Sequence, residues 1–207
     1  MSWKKKIEVQ CLYSTPSNIL SLAAAKCRQT VPREGEALGK LIQSIVQNDE
    51  GSVLEHAIMN FEIKGITRVT LAQLTRHRIA SYTVESQRYV ERPGHYNLAF
   101  LDDEKYTGAS KWIAEKYIDM GYWLYRKLIN KYGWRKDHAR YIIPQADTCE
   151  LIATFNLRSL RNFFKQRLSQ KAQVEIRYLA WKMLRISIAE YPEVFEDMKE
   201  YVTLFEE

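Results

Sequence analysis

Two clusters of cationic, amide and hydroxyl side chains carry the chemistry this sequence offers. The first runs Arg76-His77-Arg78-Ile79-Ala80-Ser81-Tyr82 and continues through Ser86-Gln87-Arg88-Tyr89. Two arginines flanking a histidine need an anionic partner if they are buried, because an unpaired buried charge is strongly unfavourable. A phosphate or a reduced flavin would supply that partner. Ser86 and Arg88, two residues apart, offer a hydroxyl and a guanidinium fork to one phosphate, with turn N–H groups completing the cradle. The plainer alternative is a basic run on a solvated face.

The second cluster is Asn156-Leu157-Arg158-Ser159-Leu160-Arg161-Asn162, followed by Arg167. Asn156, Ser159 and Asn162 step by three along one helix face, and Arg158 and Asn162 are one turn apart. Amides and guanidinium groups suit the alternating donors and acceptors of a flavin or pyrimidine edge. Surface polar residues, with Leu160 and Phe163 facing the core, are the competing account. The histidines His56, His77, His95 and His138 form no HExxH, HxH or Cys/His pair, so no metal site is expected. GxSxG, Walker and GxGxxG patterns are also missing, so any flavin or NADPH would bind without a Rossmann fingerprint.

These clusters must be positioned by strands and helices that the hydrophobic pattern outlines. Ile7, Val9, Cys11 and Tyr13 alternate with other residues, as do Ala57, Met59, Phe61 and Ile63, and both stretches read as half-buried strands. A third strand is expected around 149–155. Helical spacing marks 18–27, 37–46 and 69–77, the last with Val69, Ala72 and Leu74 on its buried side and the Arg76 cluster at its end. Longer helices are expected over 112–132 and 173–191, with Pro192 stopping the second and the aromatics of both in the core.

The 207 residues, 46% hydrophobic and 27% charged, suit one domain with its own core, expected over 1–207. No repeat, low-complexity tract or Gly/Ser linker breaks that unit. Cys11, Cys27 and Cys149 are odd in number and far apart, which favours a reducing, cytoplasmic setting over a disulfide framework. Residues 1–6 hold three lysines without an apolar stretch, and no long uncharged apolar run follows, so neither a secretory signal nor a membrane span is expected. The net charge of +6 favours anionic partners such as nucleic acid, acidic surfaces or phosphorylated small molecules.

The string Arg76-His77-Arg78-x-x-Ser81 with Ser86-x-Arg88-Tyr89 resembles the signature of the flavin-dependent thymidylate synthases. Supporting it in order are Ser52-x-x-Glu55-His56, Gln73, Arg140 before Ile142-Ile143-Pro144, Asn156-x-Arg158-Ser159-Leu160-x-Asn162-Phe163, Arg167 and Ala172-Gln173, over roughly residues 35–190. The resemblance implies an α+β fold, a small antiparallel sheet flanked by long helices as in thymidylate synthase-complementing proteins, assembled as a homotetramer with shared active sites. It implies FAD contacts from Ser52, Arg76, His77, Arg78, Asn156, Arg158 and Asn162. It implies dUMP contacts from Gln73, Arg76, Ser86, Gln87, Arg88, Arg140 and Arg167, and Arg167 as the catalytic group that favours an N3-ionised uracil.

The implied reaction is reductive methylation of dUMP to dTMP, with methylenetetrahydrofolate as the carbon source and NADPH reducing the FAD. It needs no enzyme nucleophile, in keeping with the lack of an activated dyad here. The sequence departs from the family pattern at Thr83-Val84, where Asn-Glu is usual. Glu85 stands one position on, and a register shift would let it take the acid's place. Glu50 and Lys171 replace frequent histidines. Alternative readings are a UMP methylase or hydroxymethylase of the same fold and a degenerate flavin- or nucleotide-binding protein. A nucleic-acid-binding module rests only on the charge and on aromatics near basic residues, and nucleic acid is not among the expected partners.

Overall fold

The computed structural model describes residues 3–92, 94–98, 106 and 108–205. Four strands, β1 (Glu8–Ser14), β2 (Ile58–Thr67), β3 (Ala80–Val84) and β4 (Thr148–Asn156), form one sheet in the order β1-β2-β4-β3. The ladder is antiparallel: the Thr15 N–H donates to the Ile58 carbonyl at 3.0 Å, and the Leu157 N–H to the Ala57 carbonyl at 3.0 Å. The Arg68 N–H reaches the Asp147 carbonyl at 3.0 Å, and the Glu85 N–H the Glu150 carbonyl at 2.9 Å. Period-two burial is clear in the two central strands. Met59, Phe61 and Ile63 of β2 and Cys149, Leu151, Ala153 and Phe155 of β4 are buried, while Glu150 and Ile152 point outward.

Alternation fades at the edge, where a strand has one neighbour to bury it. Ile7 is fully buried, Val9 and Cys11 are half-buried, and Tyr13, expected on the same half-buried face, is exposed. The expectations missed β3 altogether. It lies inside the cluster read as the end of a helix, and its five residues are too few for alternation to stand out.

The described residues form eight α-helices: α1 (Asn18–Arg28), α2 (Gly35–Gln47), α3 (Gly51–Leu54), α4 (Arg68–Leu74), α5 (Gly108–Tyr132), α6 (Lys136–Ala139), α7 (Leu157–Arg167) and α8 (Val174–Glu190). α4 stops three residues before the expected end at 77. Its buried side is Thr70 and Leu74, with Val69 half-buried and Ala72 exposed, against the expectation for both. A seven-residue helix following directly on β2 is placed by the sheet rather than by its own periodicity.

The chain gathers into two compact units. One comprises Met1–Glu8, Ile63–Leu74 and Thr83–Leu151, the other Val9–Glu62, Thr75–Tyr82 and Ile152–Glu207, so every strand has residues in both. The second unit buries α8 almost all round, including Tyr178 and Trp181, as expected for its aromatics. A run of rings beneath α7 joins Phe155, Phe163, Phe164 and Phe195 with centroids 5.6–5.7 Å apart. In the first unit, α5 corrects the same expectation. It buries Ile118, Tyr122 and Tyr125, whereas Trp112, Tyr117, Trp123 and Tyr132 are exposed. A 25-residue helix resting on one narrow stripe leaves most of its aromatics outside the chain's own core.

Gly65 in β2 has φ +75°, and a Cβ there would lie 1.8 Å from the Lys6 carbonyl oxygen. Both the conformation and the backbone approach exclude a side chain. Gly65→Ala is expected to lower the unfolding free energy by about 3–5 kcal/mol, measured by urea denaturation. A loss below about 1 kcal/mol would mean that this crossing is not close in solution.

Candidate active site

The signature residues divide between the two units. Ser52, Arg76, His77, Arg78, Asn156, Arg158, Asn162 and Arg167 belong to the second unit, and Gln73, Ser86, Gln87, Arg88 and Arg140 to the first. In the second unit, β4 runs into α7 through Asn156, whose side-chain oxygen accepts the Ser159 N–H at 2.8 Å as the helix cap. The cap fixes the start of α7 and therefore the direction of Arg158 and Asn162 one turn apart. Arg158 pairs with Glu55 at 2.7 Å, and Asn162 accepts from the Gln166 amide at 3.1 Å. A cleft of about 480 Å³ opens here, lined among others by Asp49, Gly51, Ile79, Arg158, Ser159 and Asn162.

Arg158 lies close against the Gly51 backbone in this cleft, where a Cβ would come 2.6 Å from its Nε. A guanidinium, amides and the exposed Ile79 side chain, around a wall kept flat by glycine, give a donor and acceptor set that fits part of a flavin dinucleotide. Ser52, the other expected flavin contact in this region, opens instead into a neighbouring recess with Cys27, Arg28, Glu50 and His56. The departure at Glu50 has a local explanation there: Arg28 holds its carboxylate through two contacts at 2.5 and 2.7 Å.

Where α4 ends, the chain turns through Arg76, His77 and Arg78 into β3. Arg76 and Arg78 are exposed, and His77 is 9% exposed. The Tyr82 hydroxyl donates to the His77 carbonyl at 2.9 Å, and the imidazole meets the Phe163 ring edge-on at 4.9 Å. Arg167 at the end of α7 donates its Nε–H to His77 Nε2 at 2.9 Å. Burial first, and the Arg167 charge second, push the His77 pKa down to about 4. The imidazole is therefore neutral at physiological pH and accepts at Nε2, which places its proton on Nδ1. Burial and then the nearby Arg76 charge lower the pKa of Arg167 itself. A cation placed at such a cost favours an anion beside it.

In the first unit the phosphate-type segment is braced from below by a carboxylate that sequence reasoning did not single out. Asp147 has no solvent exposure. It accepts from Arg92 Nε at 3.1 Å, from the Gln87 amide at 2.9 Å and from the Tyr122 hydroxyl at 2.8 Å, with Arg68 Nε 3.7 Å away. Burial and then Asp147 raise the Tyr122 pKa, so the phenol stays a donor. Arg92 also pairs with Glu85 at 2.7 Å, and Arg68 donates to the Glu85 carbonyl at 3.3 Å. The segment from Glu85 to Arg88 is thus tied down at Glu85 and Gln87, its tight turn closed by the Arg88 N–H on Ser86 Oγ at 3.2 Å, with the Arg88 side chain exposed.

Gln87, expected on the nucleotide, has its amide on Asp147. The Glu85 N–H continues the ladder to Glu150, and its carboxylate sits on Arg92. Arg140 is half-buried at the start of a 3-10 turn, Arg140–Ile142. A larger recess of about 780 Å³ in this unit has a mixed lining, with Glu8, Glu85, Glu91 and Glu150 among Lys6, Lys64 and Arg92. Burial pushes the Cys149 thiol up to about 11, so it is no thiolate nucleophile.

Two outcomes follow from these geometries. Asp147→Ala strands the buried Arg92 and Gln87 donors and is expected to cost about 3–5 kcal/mol in chemical denaturation; a loss within about 0.5 kcal/mol would contradict the buried network. The unfolded chain protonates His77 near pH 6.5, but the folded chain does so only near 4. Its contribution is fully present above about pH 6.5 and is lost as pH falls toward 4, by at most about 3 kcal/mol. The drop in Tm between pH 7 and pH 5 should therefore be smaller in His77→Gln than in the parent, and an equal drop would contradict a buried neutral imidazole.

Comparison with known proteins places this arrangement. The family model for thymidylate synthase complementing protein matches residues 9–193. The flavin-dependent thymidylate synthase of Pyrococcus furiosus is 44% identical over 141 residues, 64% of this chain and 55% of that protein. The enzyme of the same name from Sulfurisphaera tokodaii is 38% identical over 154 residues, covering 74% of this chain and 59% of that protein. The matches thus span little more than half the length of these relatives. A crystal structure of the flavin-dependent thymidylate synthase from Helicobacter pylori, complexed with FAD and dUMP, superposes with TM-score 0.73 at 32% identity, covering 92% of this chain and 98% of that one. A UMP/dUMP methylase from Streptomyces cacaoi, 23% identical with TM-score 0.81 over 94% of this chain and 95% of its own, shares the fold. With the family model spanning all four strands and the Arg76, Ser86 and Asn156 motifs, this chain belongs to the thymidylate synthase complementing protein family.

Proposed function

We propose that the chain is a flavin-dependent thymidylate synthase, which converts dUMP to dTMP with methylenetetrahydrofolate and NADPH. The observation that carries this reading is the Arg76 and Arg167 pair around a neutral His77, in the same unit as the Gly51–Arg158 cleft. The pair suits a pyrimidine that becomes anionic, and the cleft suits the flavin. A bound FAD, reduced by NADPH, supplies the hydride, and the folate supplies the carbon. The protein's own task is placement and charge: Arg158 and Asn162 hold the cofactor, with Arg78 and Ser52 as further contacts. Ser86, Arg88, Arg140 and Gln73 hold the nucleotide, and Arg167 favours the N3-ionised uracil. The relatives that carry this name, and the neighbour complexed with FAD and dUMP, support the assignment.

The proposed assembly is a homotetramer with shared sites. On α5, Ile113, Tyr117, Met120 and Leu124 follow a 4-3-4 spacing and are all exposed, with Trp112 and Trp123 beside them. Such a stripe is the seam a second helix covers. No helix among the described residues is long and apolar enough to cross a membrane, and the proposed setting is the cytoplasm, where the three free cysteines would stay reduced. The Thr83-Val84 departure keeps a second substrate, UMP, in the test.

The test is anaerobic turnover with NADPH, FAD, methylenetetrahydrofolate and either dUMP or UMP, with product mass measured, alongside the solution mass of the protein. A flavin-bound tetramer that makes dTMP is expected. A monomer that takes up no FAD would refute the reading, and methylation of UMP alone would transfer it to the ribonucleotide. Arg167→Ala should leave flavin reduction intact and slow methylation roughly a hundredfold, about 2.7 kcal/mol. Arg167→Lys should fail as well, since it keeps a charge without the planar fork. Full methylation by folded Arg167→Ala would remove its catalytic role.

A further inference from the structure

We infer that His77 is a positioning residue for Arg167: its Nε2 accepts the Arg167 Nε–H and thereby sets the plane in which the guanidinium meets the nucleotide. This deepens the reading above and rests on it. The backbone and the ring of His77 are each held, which makes the imidazole a reference point. The Tyr82 hydroxyl holds the His77 carbonyl at 2.9 Å, the Phe163 edge fixes the ring plane at 89°, and Phe163 is itself anchored against Phe155 and Phe164. Holding a guanidinium on a long stem in one orientation costs entropy, and the His77 contact contributes to holding it before the nucleotide arrives.

The 2.9 Å bond takes the Nε–H of Arg167, so one edge of the planar guanidinium has a set direction. Only a neutral imidazole can do this, because a protonated one would present N–H to N–H and add a third positive charge beside Arg76 and Arg167. Burial and Arg167 keep it neutral. His77 thus acts on the nucleotide side, through Arg167, in addition to any contact it makes with the cofactor.

The experiment compares His77→Gln and His77→Phe. Glutamine can offer an acceptor oxygen about where Nε2 lies, whereas phenylalanine keeps the ring and its packing on Phe163 without the acceptor. In the FAD-loaded protein, His77→Phe should lower kcat for dTMP formation by roughly a hundredfold and weaken dUMP binding, with normal flavin content and normal NADPH-driven flavin reduction. His77→Gln should recover most of both. Separately, the imidazole ¹⁵N signals of His77 should show an Nδ1–H tautomer down to about pH 4.5, and the titration midpoint should rise in Arg167→Ala.

Wild-type kcat and dUMP affinity in His77→Phe would overturn the inference, as would equal loss in both variants with full flavin content. Loss of FAD from His77→Phe but not from Arg167→Ala would overturn it in favour of a cofactor-holding role alone. A parent protein that binds dUMP but makes no dTMP would overturn only the functional reading, because the ¹⁵N titration and the dUMP affinities of the two variants still decide the positioning role.

Discussion

A carboxylate without solvent exposure can stay charged only if its environment supplies several donors, and Asp147 obtains them from three separate stretches of chain. Arg92 and Gln87 come from the loop after β3, Tyr122 from α5, and Arg68 from the start of α4. Each of these donors is tied down by the same contact, so the segment that carries Ser86 and Arg88 inherits its position from a buried charge behind it. A loop braced this way has its backbone set in advance, and less ordering cost would be left to any ligand it binds. The network is also demanding, since removal of any one member leaves the others buried with unmet valence.

The second unit solves the opposite problem. There the crowding charges are positive, and the neutral group among them is a histidine whose burial suppresses its protonation. The Phe155, Phe163, Phe164 and Phe195 run supplies that burial, so the packing of α7 on the sheet is also what sets the charge state of the site. Structural core and chemistry are the same residues seen from two sides.

The central strands and long helices were legible because their burial repeats with period two or 3.6 over many residues, as in Met59-x-Phe61-x-Ile63 and along α8. The site clusters were legible by type: Arg76, Ser86, Arg88 and Asn156 stand out as polar groups at fixed spacings. Their partners were not. Asp147 is a lone acid in a loop, Arg92 and Glu85 are ordinary surface residues by composition, and nothing local says that they meet. The aromatics of α5 misled for a related reason. Helical periodicity reports that a face will be covered, but not whether the cover comes from the same chain.

The change at Thr83-Val84 takes its meaning from strand geometry. Side chains alternate across a sheet, so an acid moved one place along a strand points to the opposite face. Just beyond the strand, the Glu85 N–H keeps the β3 to β4 ladder in step through Glu150, and its carboxylate turns to Arg92, which braces the loop. At the two positions of the Asn-Glu pair stand Thr83, exposed, and Val84, half-buried, which by the same alternation face opposite sides of the sheet. Losing a charge-assisted contact there is worth about 1.5–3 kcal/mol to any ligand that used it.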